Sequence, residues 1–194
     1  MTEHENQKPH YIFKICLLGA GGVGKTCIAK RLCFNTFDIN TKLTIGIDFY
    51  THDIPILVNG EEAFTRLSVW DFGGQEQFKK LFSYYIGGAN GILMAFELIN
   101  LQTLIALEWW YDQLKKYNKI EVPRVLVGTK EDMIEEVSKQ EIVKDMIIHQ
   151  YMKKYNETEF IKTSSKENVN IQKSFKILTR RTLEDHQLPF DKIL

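Results

Sequence analysis

Gly19-Ala20-Gly21-Gly22-Val23-Gly24-Lys25-Thr26 is the stretch that decides how this chain folds. It fits the pattern G-x-x-x-x-G-K-[ST], and its context carries as much weight as its order. It follows Tyr11 to Leu18, an apolar run that reads as a strand. It precedes Cys27 to Asn35, which reads as a helix. In such a loop, successive backbone N–H groups form a concave nest for an anion. The groups from Gly21, Gly22, Val23 and Gly24 through to Cys27 are the candidates here. The helix that follows adds its positive N-terminal end. Lys25 can bring a point charge to the β- and γ-phosphates of a nucleotide, and the Thr26 hydroxyl can ligate Mg²⁺. The alternative is an ordinary Gly-rich strand-to-helix turn, and the rest of the chain argues against it.

Working outward, apolar strand-like runs alternate with helical patterns, which predicts an α/β fold with a mostly parallel sheet covered by helices on both faces. Phe49 to Val58 and Phe64 to Asp71 read as strands joined at Asn59-Gly60, a favoured hairpin turn. Gly91 to Phe96, Arg124 to Gly128 and Phe160 to Thr163 read as further strands, giving six, with one antiparallel hairpin strand. Leu101 to Tyr117 is helical. Ser138 and Glu141 have capping-box spacing for a helix running to about Tyr155, and a last helix spans Asn170 to about His186, with Pro189 beyond it. Residues 1–10 read as a disordered leader, 11–187 as one domain and 188–194 as a short tail.

Composition narrows the function classes. The chain has 194 residues, 44% of them hydrophobic and 26% charged, which suits one soluble domain with a proper core. Its 25 basic and 25 acidic residues cancel, so no global field points to nucleic acid or to an anionic membrane. Cys16, Cys27 and Cys33 lack the spacing of a metal site or a disulfide framework and read as small apolar residues in a reduced cytoplasm. The polar N-terminus does not read as a signal peptide, and no apolar stretch is long enough to span a bilayer. No cysteine follows Cys33, so no prenyl anchor is expected. The five histidines form no catalytic pattern.

Further segments select the nucleotide. In Trp70-Asp71-Phe72-Gly73-Gly74-Gln75, Asp71 can hold Mg²⁺ opposite Thr26. Gly74 lets its N–H approach a γ-phosphate, and Gln75 can orient an attacking water. Thr44, on a polar loop, can complete the Mg²⁺ shell only while a γ-phosphate is present. Phe37, near the start of that loop, can cover the base edge-on or return to the core. After the strand ending at Gly128 comes Thr129-Lys130-Glu131-Asp132. A carboxylate at Asp132 can accept from the N1–H and exocyclic amine of guanine, which adenine does not offer, and the Lys130 stem can lie along the ring. Thr163-Ser164-Ser165-Lys166 again follows a strand, and backbone N–H groups there can reach the guanine O6. Taken singly, each segment is an ordinary polar loop. Their order behind a phosphate loop is what carries the reading.

The sequence resembles a Ras-superfamily small GTPase, most closely of the Rab type, over about residues 11–186. Thr44-Ile45-Gly46-Ile47-Asp48-Phe49 is similar to the switch I pattern T-I-G-V-D-F. Ser83 to Ile92 is similar to the S-Y-Y-R-G-A-H-G-I segment after switch II. The resemblance implies a P-loop G domain binding GTP or GDP with Mg²⁺, with Lys25 and Gln75 in hydrolysis. It further implies protein effectors, an exchange factor and a GTPase-activating protein, acting on a monomer in the cytoplasm. The chain departs from the pattern at Thr129, where Asn is usual. There a hydroxyl would brace the base loop in a weaker or altered way. Ser165 replaces Ala, and Phe72-Gly73 replaces Thr-Ala of D-T-A-G. The Trp-Asp-Phe-Gly-Gly-Gln segment is also similar to Roc, Arf-like and heterotrimeric Gα domains, and the hairpin is longer than in typical Rabs by roughly four residues, within the usual spread of connections. Those two features leave a Roc- or Arf-like branch as an alternative, and a nucleotide-loaded binding module with negligible hydrolysis as another. Gly21 is expected to matter by staying small beside Gln75. Ile45, Ile47, Phe49, Trp70 and Phe82 are the expected effector contacts, and one of Trp109 and Trp110 is expected in the core.

Overall fold

The computed structural model describes residues 8–194. Most of the expected leader, residues 1–7, lies outside them. Strand β1 (Tyr11–Leu18) leads into helix α1 (Lys25–Phe34), and β2 (Ile47–Val58) and β3 (Glu61–Phe72) form the hairpin. The short helices α2 (Glu76–Lys79) and α3 (Phe82–Tyr85) precede β4 (Gly91–Glu97). Then come α4 (Leu101–Ile105), α5 (Leu107–Lys116), β5 (Arg124–Thr129), α6 (Asp145–Tyr155), β6 (Phe160–Lys162), α7 (Ile171–Asp185) and β7 (Lys192–Ile193). The sheet order is β6-β5-β4-β1-β3-β2-β7. Strands β3, β1, β4, β5 and β6 run parallel, and β2 is antiparallel to both β3 and β7.

The parallel strands are apolar on both faces because helices cover both. Phe13, Ile15 and Leu17 of β1, with Leu93 and Ala95 of β4, face a core completed by Ile28 of α1 and Phe175 and Leu178 of α7. Their neighbours Cys16, Leu18, Met94 and Phe96 face the opposite core, filled by Phe82, Leu107, Trp110, Tyr111 and Tyr151. Trp110 is the core tryptophan. Trp109 is half-buried, with the Lys79 ammonium 4.4 Å from its ring centroid. All three cysteines are free thiols, and Cys16 is buried.

The hairpin turn is as expected: Asn59 and Gly60 have φ of 54° and 79°, the left-handed pair that matches strand twist. Three expectations change. The sheet has seven strands, not six, because the expected tail turns back and pairs along β2, Ile193 against Ile56 and Lys192 against Leu57. Asp191 fixes the turn, its N–H donating to the Leu57 carbonyl (2.8 Å) and its carboxylate accepting from the Gly60 N–H (2.7 Å). Leu188, Phe190 and Ile193 pack on the core beneath. The second change is at Ser138. Its N–H does donate to the Glu141 carboxylate (3.0 Å), but the bond closes an isolated turn, and α6 starts only at Asp145. The helix over Leu101 to Tyr117 is divided at Ala106 into α4 and α5.

Beneath α5 and α6 lies a buried ion pair. Arg124 Nε donates to Glu157 Oε1 (2.6 Å), which also accepts from the Tyr111 hydroxyl (2.9 Å), and the guanidinium reaches the Ile120 carbonyl. Removing one partner of such a pair strands a buried charge. Glu157→Ala should therefore destabilise the fold by about 3–5 kcal/mol. Replacing both partners with apolar residues of similar volume should cost less. Urea denaturation of the single and double variants checks the difference.

Candidate functional site

Parallel strands that end on one side of a sheet place their following loops together. Here β1, β3, β4, β5 and β6 deliver the phosphate-type loop, the Asp71 segment and the loops after Thr129 and Lys162 to one rim. The antiparallel β2 begins at that same rim, with Ile47 opposite Phe72, so the Thr44 loop hangs beside Asp71.

Lys25, 5% exposed, donates to the Gly19 (2.9 Å) and Ala20 (2.8 Å) carbonyls. Burial lowers its ammonium from 10.5 to about 8, with the Asp71 charge partly opposing the shift. Asp71 is fully buried. Burial raises its carboxyl above the usual range, while Lys25 and the Thr26 and Thr44 hydroxyls pull it back. Thr26 Oγ1 donates to Asp71 Oδ2 at 2.5 Å and lies 2.7 Å from Thr44 Oγ1, which is itself 3.2 Å from Asp71 Oδ2. Three oxygens from three separate elements thus converge. Asp71 Oδ1 is buried and has no hydrogen-bond partner among the described residues. This is a hard-oxygen donor set with a spare carboxylate oxygen, which fits a divalent cation such as Mg²⁺. No cluster of three or more His, Cys, Asp or Glu that could hold a metal occurs among the described residues.

Around this centre is a cleft of about 60 Å³ lined by Gly21, Gly22, Gly24, Lys25, Thr26, Cys27, Thr44, Gly74 and Gln75, all singled out from the sequence, with Thr41, Lys42 and Leu43. Gly74 is jammed against the phosphate-type loop: a Cβ there would lie 2.3 Å from the Ala20 carbonyl carbon and 2.4 Å from Gly21 N. Gly21 is less constrained than expected, because a Cβ on it would meet Gln75 Cγ at an ordinary 3.5 Å.

A second cavity of about 350 Å³ shares Gly22, Gly24, Cys27 and Thr41 with the first and adds Phe37, Thr129, Lys130, Asp132, Ser165 and Lys166. Phe37 therefore turns to the cavity rather than to the core. Thr129 makes the brace foreseen for it, with its hydroxyl 2.7 Å from the Val23 carbonyl and 3.0 Å from that of Phe96. Lys130 is held by Glu97 (2.6 Å), and Asp132 accepts from the Ser164 hydroxyl (2.5 Å).

The Val23 side chain is in the core, which its expected backbone role in the loop allows, and its carbonyl accepts from Thr129. Ser164 spends its N–H on the Val169 carbonyl (3.2 Å), so it steadies Asp132 while Ser165 and Lys166 face the cavity. Phe82, expected at the surface, is 1% exposed, whereas Ile45 (81%) and Phe49 (59%) are exposed and Trp70 lies edge-on to Phe49. Sequence reasoning missed Ile39, Met133 and Glu136 in the cavity wall. It also missed Arg31, whose Nε and Nη2 hold the Ser165 (2.7 Å) and Lys166 (3.1 Å) carbonyls. None of these four belongs to a local motif.

Comparison with known proteins agrees with this arrangement. The Ras family profile matches residues 14–184. Ras-related protein Rab-30 of Homo sapiens is 32% identical over 177 residues, covering 90% of this chain and 82% of its own length. Ras-related protein RABA5d of Arabidopsis thaliana is 32% identical over 93% of this chain and 78% of its own length. GTP-binding protein ypt1 of Schizosaccharomyces pombe is 29% identical over 92% and 84% respectively. These relatives are Rab-type proteins, and the chain belongs to the Ras family as a Rab-type small GTPase.

Proposed function

We propose that this GTPase binds GTP and GDP with the phosphates in the cleft at Lys25 and the guanine in the adjoining cavity at Asp132, hydrolyses GTP slowly, and signals through the Thr44 and Gly74 loops. The observation that carries this reading is the convergence of Thr26, Thr44 and Asp71 beside Lys25, Gly74 and Gln75 in one cleft. Thr26, Thr44 and Asp71 would hold Mg²⁺, which supplies positive charge against the β- and γ-phosphates.

The chain's own groups divide the work. Lys25 neutralises charge on the transferring phosphoryl group, and the Gly74 N–H offers it a fixed dipole. Gln75 orients the attacking water. Asp132 accepts from guanine, and an adenine in its place would leave the carboxylate facing no donor pair. Loss of the γ-phosphate removes the reason for the Thr44 and Gly74 loops to stay closed, which is how a bond broken in the cleft is read at the surface. Residues 37–49 contain no arginine. Unaided turnover is then on the order of 10⁻⁴ to 10⁻² per second, and a GTPase-activating protein supplies the missing charge. Ile45, Phe49 and Trp70 form the effector surface, an exchange factor reloads the site, and the protein works as a monomer in the cytoplasm, recruited to membranes by a partner. No helix among the described residues is long and apolar enough to cross a membrane.

Single-turnover hydrolysis of Mg·GTP tests the reading. Gln75→Leu should slow phosphate release by about tenfold or more while leaving GTP affinity nearly unchanged, and excess ATP should not compete. Tight binding with no Gln75-dependent turnover would make the protein a binding module, and competition by ATP would refute the role of Asp132.

Lys25 gives a pH signature. In the protein alone its ammonium titrates near 8, against 10.5 in an unfolded chain. Below pH 8 both states are charged, and the folded state bears the full burial cost. Between 8 and 10.5 the folded state sheds its proton first, so stability rises with pH. Thermal unfolding of nucleotide-free protein should show this rise, Lys25→Met should remove it, and bound GDP should flatten it by restoring a counter-charge.

A further inference from the structure

In the loop after β6, the Ser165 and Lys166 N–H groups bond to no acceptor among the described residues, while the carbonyls around them are all engaged. The Ser164 carbonyl accepts from the Val169 N–H (2.8 Å). The Ser165 carbonyl accepts from Arg31 Nε (2.7 Å), and the Lys166 carbonyl from Arg31 Nη2 (3.1 Å). In a planar trans peptide unit the C=O and the N–H that follows it point in opposite directions. Fixing the Ser164 carbonyl therefore aims the Ser165 N–H, and fixing the Ser165 carbonyl aims the Lys166 N–H. The next unit shows where that side of the loop faces: the Glu167 N–H donates to Ser164 Oγ (3.0 Å), the hydroxyl that holds Asp132. Ser165 and Lys166 line the cavity beside Asp132, and Arg31 does not. The arginine thus grips the carbonyl side of the loop from α1 and leaves the amide side to the cavity. Its third nitrogen, Nη1, bonds to the Asn35 carbonyl (2.9 Å) and side-chain oxygen (3.1 Å) at the end of α1, so the guanidinium is itself held. Its rigid planar fork suits two successive carbonyls, where a lysine would offer a single point charge.

We infer that Arg31 is a positioning residue for guanine recognition, which aims the Ser165 and Lys166 amides at the acceptor on position 6 of the base. This inference rests on the proposed seating of guanine at Asp132. The carboxylate reads the donor edge of the base, N1–H and amine, and the two amides read the oxygen beside it. Adenine carries an amino group at that position, so its hydrogens would face N–H groups and leave them unpaired. Without Arg31 the Ser165 and Lys166 carbonyls turn to water, their peptide units rotate, and the amides no longer converge on one point. Arg31 bonds to none of the residues that line the phosphate cleft, so the effect falls on the base.

The test measures the affinities of wild type, Arg31→Ala and Arg31→Lys for GDP, 6-thio-GDP and inosine diphosphate, by competition with a fluorescent guanine nucleotide. 6-Thio-GDP keeps the N1–H and the amine but puts a larger, weaker acceptor at position 6. Inosine diphosphate keeps the oxygen and lacks the amine. Wild type should prefer GDP to 6-thio-GDP by roughly tenfold. Arg31→Ala should weaken GDP by about five- to tenfold and shrink that preference to about twofold or less, and Arg31→Lys should recover only part of it. Weakening of GDP and 6-thio-GDP by the same factor, which is what general loosening of the fold produces, would overturn the inference. So would no change, or a wild type that does not distinguish the two. If wild type fails to separate GDP from inosine diphosphate, the reading of Asp132 is what fails, and the inference falls with it. Hydrogen exchange on wild type gives a check that needs no variant. The Ser165 and Lys166 amides should be better protected with GDP bound than with 6-thio-GDP, and equal protection would refute their contact with position 6.

Discussion

Asp71 is the constraint on which the site depends. A carboxylate with no exposed surface, and with one oxygen that has no partner among the described residues, costs free energy in the protein alone. Lys25 bears the complementary cost, since among the described residues its ammonium bonds to the Gly19 and Ala20 carbonyls alone. The two charges feel each other without forming a contact ion pair, and burial displaces both from their ordinary titration ranges. A direct pair would relieve them, but it would also fill the space that makes the site useful. Kept apart, each would be relieved by a ligand of opposite charge, an anion at Lys25 and a cation at Asp71. Ligand binding then contributes to the stability of the whole domain by mass action, and the instability of the protein alone is the counterpart of its affinity.

Holding that arrangement falls to strand register. Leu17 lies beside Asp71 in the β1–β3 ladder, which fixes the phosphate loop relative to the carboxylate. The β2–β3 register, with Ile47 opposite Phe72, sets where the loop that carries Thr44 leaves the sheet. The hairpin is long, and its tip lies far from the site. β7 clamps it there, through Ile193 against Ile56 and Asp191 on Gly60. One end of the hairpin is thus tied to the core and the strap, while the other carries the Thr44 and Gly74 loops that line the cleft.

The parts legible in sequence are those whose reasons are local. The glycines of the phosphate loop, the Asn59-Gly60 turn and the apolar runs of β1, β4 and β5 each answer to a backbone or burial requirement met within a few residues. The residues of the cleft follow because β-strand ends gather loops, so Lys25, Thr26, Thr44, Asp71, Gly74 and Gln75 could be placed together from order alone. What failed had distant causes. Nothing in Asp191-Lys192-Ile193-Leu194 reads as a strand, since β7 exists only because the edge of β2 and an apolar patch await it. Ser138 and Glu141 form the local bond their spacing suggests, but whether a helix follows is decided by Val143, which is buried and bonds through its N–H to the Leu98 carbonyl. Phe82 looked like a surface aromatic until the second core closed around it.

Thr129 shows how a departure from the family pattern is absorbed. Its hydroxyl has one proton and two carbonyls within reach, Val23 and Phe96, so it can satisfy only one of them at a time. A single neutral hydrogen bond of this kind contributes about 1 kcal/mol, a slender tie between the base cavity and the phosphate loop. Arg31 offers a stronger one. From α1, the helix that begins at Lys25, its guanidinium reaches the carbonyls of Ser165 and Lys166 and also the Asn35 cap at the helix end. Bonds from a charged donor are worth roughly 1.5–3 kcal/mol each. The cavity beside Asp132 is then braced along α1 through Arg31 as well as to the phosphate-type loop through Thr129.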